Sequence, residues 1–187
     1  LDGCPTGAIV EPGVVDARRC LAWLVQAPGS IPREFRAALG GRLYGCDDCQ
    51  EVCPVGRSDR MADGTDDPAA DVEAAWVLRA KDDELMDRFG RWYIADRDPT
   101  YLRRNALVAL GNTATGEDRA VAGLLEVYLA SDDSILRSHA VWAADRLGRP
   151  DLLDGLDAGG DSLVAEELAA VRDRVRSEEH TSELQSQ

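Results

Sequence analysis

All five cysteines of this 187-residue chain lie within its first 53 residues. Three of them, Cys46, Cys49 and Cys53, follow the spacing C-x2-C-x3-C and precede Pro54. This is the spacing of the last three ligands in the bacterial ferredoxin run C-x2-C-x2-C-x3-C-P, whose fourth cysteine binds the neighbouring cluster. An odd number of sparse cysteines is not typical of a disulfide scaffold. The pattern therefore predicts iron–sulfur ligands.

The other two cysteines extend this prediction. Cys4 is followed by a proline and resembles the last ligand of a second run, while Cys20 could supply the missing first ligand of the Cys46 run. The number of ligands then predicts that Cys4, Cys20, Cys46 and Cys49 hold one [4Fe–4S] cluster, and that Cys4 crosses over to it from the other run. Cys53 would bind a second cluster whose other ligands would precede residue 1. A tetrahedral zinc site built from the same four cysteines is the alternative, ahead of free structural cysteines.

Charge and periodicity divide the chain after the cysteines. Residues 1–60 carry a formal net charge of −1 and the remainder carries −13. Apolar residues recur at helical spacing throughout the second part. The predicted fold is mainly α, with a small two-cluster ferredoxin-like [4Fe–4S] module followed by HEAT-like helical repeats. The predicted boundaries are 1–57 for the module, 58–71 for a linker, 72–175 for the repeats and 176–187 for a non-native tail.

Helix signals in the second part are specific enough to predict individual elements. Capping and stop residues predict helices over 82–89, 99–110, 118–129, 134–147 and 161–175, with Gly111-Asn112 ending the second of them. The segments 102–111 and 136–145 align at an offset of 34 residues, a period typical of stacked helical repeats. An ordinary helical bundle is the alternative. The segment RSEEHTSELQS near the end resembles a translated sequencing adapter.

Four segments stand out: CPTGAI at 4–9, Arg19-Cys20-Leu21, Ile31-Pro32, and above all YGCDDCQ at 44–50 with Cys53-Pro54. Together they resemble the epoxyqueuosine reductase family. The downstream RRNAL at 103–107 resembles the helical-repeat region that ends many family members. The acidic balance of the chain excludes broad, nonspecific nucleic-acid binding, so any RNA contact must be a local basic patch.

The resemblance implies an oxidoreductase that uses cobalamin and two [4Fe–4S] clusters to reduce epoxyqueuosine to queuosine at the wobble position of tRNA. It implies Cys4, Cys20, Cys46, Cys49 and Cys53 as cluster ligands. The family's cobalamin-binding domain, its proton donor and its first cysteine triad would precede residue 1, so no catalytic residue is expected here and this chain alone is expected to be inactive. We expect a cytoplasmic monomer with an external electron donor and no membrane association.

Arg103, Arg104 and Arg137 are the predicted nucleic-acid contacts, because they occupy similar positions in the two aligned segments. A solvated helix face, or pairing with Asp98 and Asp133, is the alternative.

Two other function classes also fit the cysteines. One is a ferredoxin-type electron carrier fused to a helical-repeat protein-binding domain. The other is a related corrinoid enzyme such as a reductive dehalogenase.

Overall fold

The structure, a computed structural model, describes residues 3–54 and 72–185, so the predicted linker 58–71 lies outside the described residues. The described residues are mainly helical, as predicted. The chain forms two compact units, Leu1–Leu110 and Gly111–Gln187. This division differs from the predicted boundary between 57 and 72, because residues 72–110 group with the cysteine-bearing residues in the first unit.

The first unit begins with a short antiparallel hairpin. Strand β1 (Ile9–Glu11) pairs with β2 (Val14–Val15), with Ile9 opposite Val15. The hairpin was not predicted. Three short helices follow it: α1 (Leu21–Leu24), α2 (Arg33–Leu39) and α3 (Asp48–Glu51). Because helices this short are marginal on their own, their ends depend on contacts with the rest of the unit.

Three longer helices complete the first unit: α4 (Ala74–Arg79), α5 (Asp82–Phe89) and α6 (Thr100–Thr113), the last of which continues past Leu110. The predicted bounds of α5 are confirmed. Its first turn is capped by Glu84, whose carboxylate accepts from the Lys81 N–H at 2.8 Å. The start of α6 is capped by Asp98, whose carboxylate accepts from the Thr100 N–H at 2.8 Å.

A column of aromatic rings joins the cysteine-bearing part of the first unit to α5. The Tyr44 ring stacks on Trp92 with centroids 4.5 Å apart, and Trp92 stacks on Phe89 at 4.4 Å. Trp76 meets the edge of Phe89 at 6.1 Å. The Tyr44 hydroxyl also accepts from the Tyr93 N–H at 2.9 Å. Offset and edge-on aromatic pairs add stability beyond the apolar area that they bury.

The second unit is a stack of helices: α7 (Arg119–Leu129), α8 (Ser134–Arg146) and α9 (Ser162–Gln185). Helix α8 packs against both α7 and α9. The carboxylates of Asp118 and Asp133 cap α7 and α8 by accepting backbone N–H groups, which confirms those predicted starts to within a residue. Helix α9 continues past residue 175 into the predicted tail 176–187. Every helix among the described residues is too short or too polar to span a bilayer.

The prediction that Gly111-Asn112 ends helix α6 is wrong, since α6 continues to Thr113. Gly111 instead permits close helix packing. A Cβ atom at this position would lie 2.9 Å from Cζ3 of Trp142 and 3.0 Å from Cα of Ala143, both in α8. Only a residue without a side chain fits there, so Gly111 is needed for the close packing of α6 on α8 and does not end the helix.

Replacement of Gly111 by alanine should therefore destabilise the protein. The added methyl group forces the α8 backbone to shift, and such overpacking costs about 1–3 kcal/mol. The matched control is Gly123→Ala in α7, where a Cβ meets nothing within 4 Å. Alanine is favoured over glycine inside a helix by about 1 kcal/mol, so the control should be stabilised. Urea unfolding followed by circular dichroism measures both, and Gly111→Ala matching Gly123→Ala would contradict this packing.

Candidate iron–sulfur site

The loop that carries Cys4 is fastened to the segment that ends at Cys20. The Thr6 hydroxyl donates to the Arg19 carbonyl at 2.5 Å, and the Arg19 guanidinium donates to the Thr6 carbonyl at 2.9 Å. Thr6 is buried and Arg19 is exposed, so the two hydrogen bonds of this reciprocal pair are partly shielded from water. Two segments that are distant in sequence are thus held side by side, each with its cysteine next to the contact.

The Cys4 thiol lies among hydrogen-bonding groups that suit a thiolate ligand. Its Sγ accepts from the Ala8 N–H at 3.2 Å and lies 3.5 Å from the Thr6 hydroxyl oxygen. Burial alone raises the pKa of Cys4. Hydrogen bonding with the Thr6 hydroxyl and with the backbone N–H groups of Thr6, Ala8 and Ile9 outweighs burial, so the pKa lies below its ordinary value. N–H···S hydrogen bonds are one means by which proteins stabilise and tune cluster ligands.

Cys20 and Cys46 lie near each other. Cys20 is the residue before α1, and its carbonyl accepts the N–H groups of Trp23 and Leu24. Burial raises the pKa of Cys46, with a smaller contribution of the same sign from the nearby Cys20. A backbone hydrogen bond from Asp48 acts in the opposite direction and lowers the pKa of Cys46.

Arg42 anchors the turn between Cys46 and Cys49. Its guanidinium forms a 2.5 Å ion pair with Asp48 in the first turn of α3. The same group donates to the Leu39 carbonyl at the end of α2, at 3.0 Å. The C-x2-C segment is therefore attached to α2 through a single side chain. Cys49 lies within α3, and its thiol is exposed at the surface of the first unit.

The two Cys-Pro segments also approach each other. A Cβ atom on Gly3 would lie 2.2 Å from Cγ2 of Val52, so the backbone before Cys4 passes directly over the residue before Cys53. A side chain at position 3 would require the Val52 side chain to shift. The structure thus places the predicted crossover ligand Cys4 beside the segment of the opposite run.

All five predicted cysteine ligands lie in one unit as free thiols, on segments that contact one another. Soft thiolate donors with N–H hydrogen bonds are the donor set that an iron–sulfur cluster takes. Among the described residues, no three Cys, His, Asp or Glu side chains are grouped around one point as ligands of a single metal ion. A structural zinc site would require four ligands at about 2.0–2.3 Å from one ion.

The prediction that Arg104 contacts nucleic acid is wrong. Its side chain is only 1% exposed, and its guanidinium donates to backbone carbonyls of the α1 region. Burial lowers the pKa of Arg104 to about 10, so the group still carries its charge at neutral pH. A group enclosed in this way cannot reach a phosphate.

Arg103 and Arg137 are also held by the protein. Arg103 donates to the Ala80 carbonyl at 2.8 Å and forms a 2.6 Å ion pair with Asp82. Arg137 donates to the carbonyls of Leu129 at 3.0 Å and Asp157 at 2.5 Å. Neither arginine pairs with Asp98 or Asp133 in these bonds, contrary to the alternative drawn from the sequence. Part of each guanidinium is therefore already bonded to the protein, and contact of Arg103 and Arg137 with tRNA stays a prediction.

The sequence interpretation missed the residues that hold the cysteine segments together. Thr6, Arg42, Asp48 and Asn105 were not predicted to hold these segments together. No local pattern marks such residues, because their partners lie outside their own local segments. The one usable signal was that Thr6, Asp48 and Asn105 stand within motifs that the family resemblance had already picked out.

Comparison with known proteins agrees with this geometry. A family profile described as "4Fe-4S double cluster binding domain" matches residues 1–56. The chain is 32% identical over 189 residues to the epoxyqueuosine reductase of Bacillus subtilis, covering 99% of this chain and 45% of that protein. It is 37% identical over 158 residues to the epoxyqueuosine reductase of Shewanella oneidensis, covering 76% of this chain and 38% of that protein.

The fold is shared as well. A crystal structure of epoxyqueuosine reductase with an epoxyqueuosine-modified tRNA-Tyr stem loop superposes with a TM-score of 0.71 at 30% identity, over 91% of this chain and 48% of that one. The chain therefore spans less than half the length of these relatives. The similarity extends beyond the cysteine-bearing residues into the helical stack.

Loss of the Thr6 hydroxyl should loosen the Cys4 loop. Thr6→Val removes the donor of the part-buried hydrogen bond to the Arg19 carbonyl, which costs about 0.5–1.5 kcal/mol. Thr6→Ser keeps the hydroxyl and is the matched control. Amide hydrogen exchange of residues 4–8, together with urea unfolding, measures the difference. Equal exchange and equal stability in the two variants would show that the Thr6–Arg19 pair does not hold the loop.

Proposed function

We propose that this chain, which by sequence and fold belongs to the epoxyqueuosine reductase family, is the electron-carrying part of an enzyme that reduces epoxyqueuosine to queuosine at the wobble position of tRNA. The observation that carries the proposal is the arrangement of the first unit. Five free thiols lie on mutually fastened segments, within residues that match a double-cluster binding domain. The relatives are named epoxyqueuosine reductases, and we propose the same activity for the enzyme that contains this chain.

Contacts of the described residues support the ligand assignment. Cys20 contributes to the raised pKa of Cys46, the Arg42–Asp48 ion pair lies at the turn between Cys46 and Cys49, and the Thr6–Arg19 hydrogen bonds link the Cys4 loop to the segment that ends at Cys20. We assign these four to one [4Fe–4S] cluster. Cys53 is left for a second cluster that requires ligands from outside this chain. A bound cluster of this type accepts and donates single electrons.

The reaction needs such a carrier. Removal of an epoxide oxygen to give an alkene consumes two electrons and two protons and releases water, so an external donor must supply electrons that clusters deliver one at a time. Cobalamin would be the partner at the reacting carbon, held mainly by a domain outside this chain. The residues of this chain contribute ligand geometry and N–H···S hydrogen bonds. We assign the proton donor to none of them.

Residues 72–175 are proposed to form HEAT-like helical repeats that contact tRNA. The support is the offset of 34 residues between α6 and α8, and the equivalent behaviour of Arg103 and Arg137, each of which donates to a carbonyl at the end of another helix. A relative was crystallised with a tRNA stem loop. We place the reaction in the cytoplasm and expect the chain to act as a monomer.

Serine substitution of single cysteines tests the ligand assignment. Cys20→Ser, Cys46→Ser and Cys49→Ser should each lower iron and sulfide content severalfold after anaerobic reconstitution, because a hydroxyl is a poorer ligand for iron than a thiolate. Cys53→Ser is the matched control and should keep both at the unmutated level. Electron paramagnetic resonance of the reduced protein reports the cluster directly. A Cys53→Ser variant that loses as much iron as Cys46→Ser would overturn the assignment, as would zinc without sulfide.

The activity is tested in a chimera in which this chain replaces the aligned residues of the Bacillus subtilis epoxyqueuosine reductase. The chimera should form queuosine in tRNA when supplied with cobalamin and a reductant, and its Cys46→Ser variant should not. The chain alone should form none. A chimera that holds its clusters but leaves epoxyqueuosine unchanged would refute the proposed function.

A further inference from the structure

We propose that Arg104 and Asn105 of helix α6 are positioning residues that fix the segment after Cys20 and the segment before Cys46 relative to each other. The inference depends on the proposed function only in treating those two cysteines as cluster ligands. The contacts themselves do not depend on it. They involve two adjacent buried side chains, here called the α6 clamp.

Arg104 closes the end of α1. Its Nη2 donates to the Leu24 carbonyl at 3.0 Å and to the Val25 carbonyl at 3.3 Å. Its Nη1 donates to the carbonyls of Ala27 at 2.8 Å and Gly29 at 2.5 Å. The last carbonyls of a helix have no partner within it, and a four-residue helix cannot hold them in place itself. One guanidinium therefore fixes the helix that begins at Cys20.

Asn105 connects this helix to the second cysteine segment. Its Nδ2 donates to the Val25 carbonyl at 2.8 Å and to the Leu43 carbonyl at 2.9 Å. Leu43 lies three residues before Cys46. The amide thus bridges the segment that follows one proposed ligand and the segment that precedes another, and so fixes the distance between them.

The two clamp residues also support each other. Oδ1 of Asn105 accepts from Nε of Arg104 at 3.1 Å and from Nη2 at 2.9 Å, which orients the asparagine so that its amino group faces the two carbonyls. Both side chains are 1% exposed. Buried polar groups cost free energy unless they are hydrogen-bonded, and removing one partner leaves several others unsatisfied. The clamp should therefore act as one unit.

The aligned positions in α8 provide a comparison for the α6 clamp. Ser138 aligns with Arg104 and His139 aligns with Asn105, and His139 hydrogen-bonds the Ile135 carbonyl of its own helix at 2.7 Å. Arg137 of α8 donates to carbonyls of the second unit. Arg137→Lys is thus a matched control for Arg104→Lys.

The decisive variant is Asn105→Asp. It keeps the side-chain shape and the acceptor for Arg104 but removes both Nδ2 donors. Amide hydrogen exchange of the metal-free chain should become about tenfold faster across residues 20–29 and 40–46, because two buried hydrogen bonds are lost. Arg104→Lys should have the same effect in a milder form. Arg137→Lys should leave both segments unchanged.

In the reconstituted chain, Asn105→Asp should also alter the electron paramagnetic resonance spectrum of the reduced cluster. It should lose iron to a chelator about tenfold faster than Arg137→Lys. Exchange within twofold of the unmutated chain in both clamp variants would overturn the proposal. Faster exchange with an unchanged spectrum and unchanged iron loss would overturn it as well. If the unmutated chain takes up no iron or sulfide, the proposed function fails, and the metal-free exchange still decides whether the clamp exists.

Discussion

The hydrogen bonds of one buried guanidinium and the neighbouring amide hold the first unit together. Arg104 and Asn105 stand on a long helix, yet their donors satisfy carbonyls of short segments that have little regular structure. Short helices and loops around a cofactor cannot bury enough apolar surface to be rigid on their own. A long helix can supply that rigidity. The ligand geometry of the cysteine segments depends on this interaction.

This dependence explains why the compact unit extends to Leu110. The cysteine-bearing residues bury a modest set of side chains, among them Leu21, Ile31 and Leu39. Helices α4 to α6 add Val77, Leu85 and Leu107. The aromatic column from Tyr44 to Trp76 is a second attachment between the two parts. The cysteine-bearing residues and residues 72–110 therefore belong to one compact unit.

Local signals predicted local structure well. Helices α5, α7 and α8 begin next to capping residues that the sequence shows, and the cysteine spacing identified the candidate ligands. The hairpin was missed because its strands, on either side of the Pro12-Gly13 turn, are only three and two residues long. Gly111 was taken for a helix stop because its close partner, Trp142, is distant in sequence.

Long-range pairing accounts for the largest error. An arginine pair on a helix in an acidic chain suggested a phosphate contact, yet Arg104 turned inward to carbonyls that lie some 75–80 residues away. A sequence pattern shows that a positive charge is present but not which acceptors surround it. The acidic second unit makes the location of any tRNA contact a question of individual residues and not of overall charge.

The most direct test compares a polypeptide of residues 1–57 with the whole chain after anaerobic reconstitution. If α6 holds the ligand segments, the short polypeptide should retain little iron and show unprotected amides across residues 20–29, while the whole chain should carry about four iron atoms in one cluster. A short polypeptide that binds its cluster as tightly as the whole chain, with the same resonance spectrum, would contradict this account.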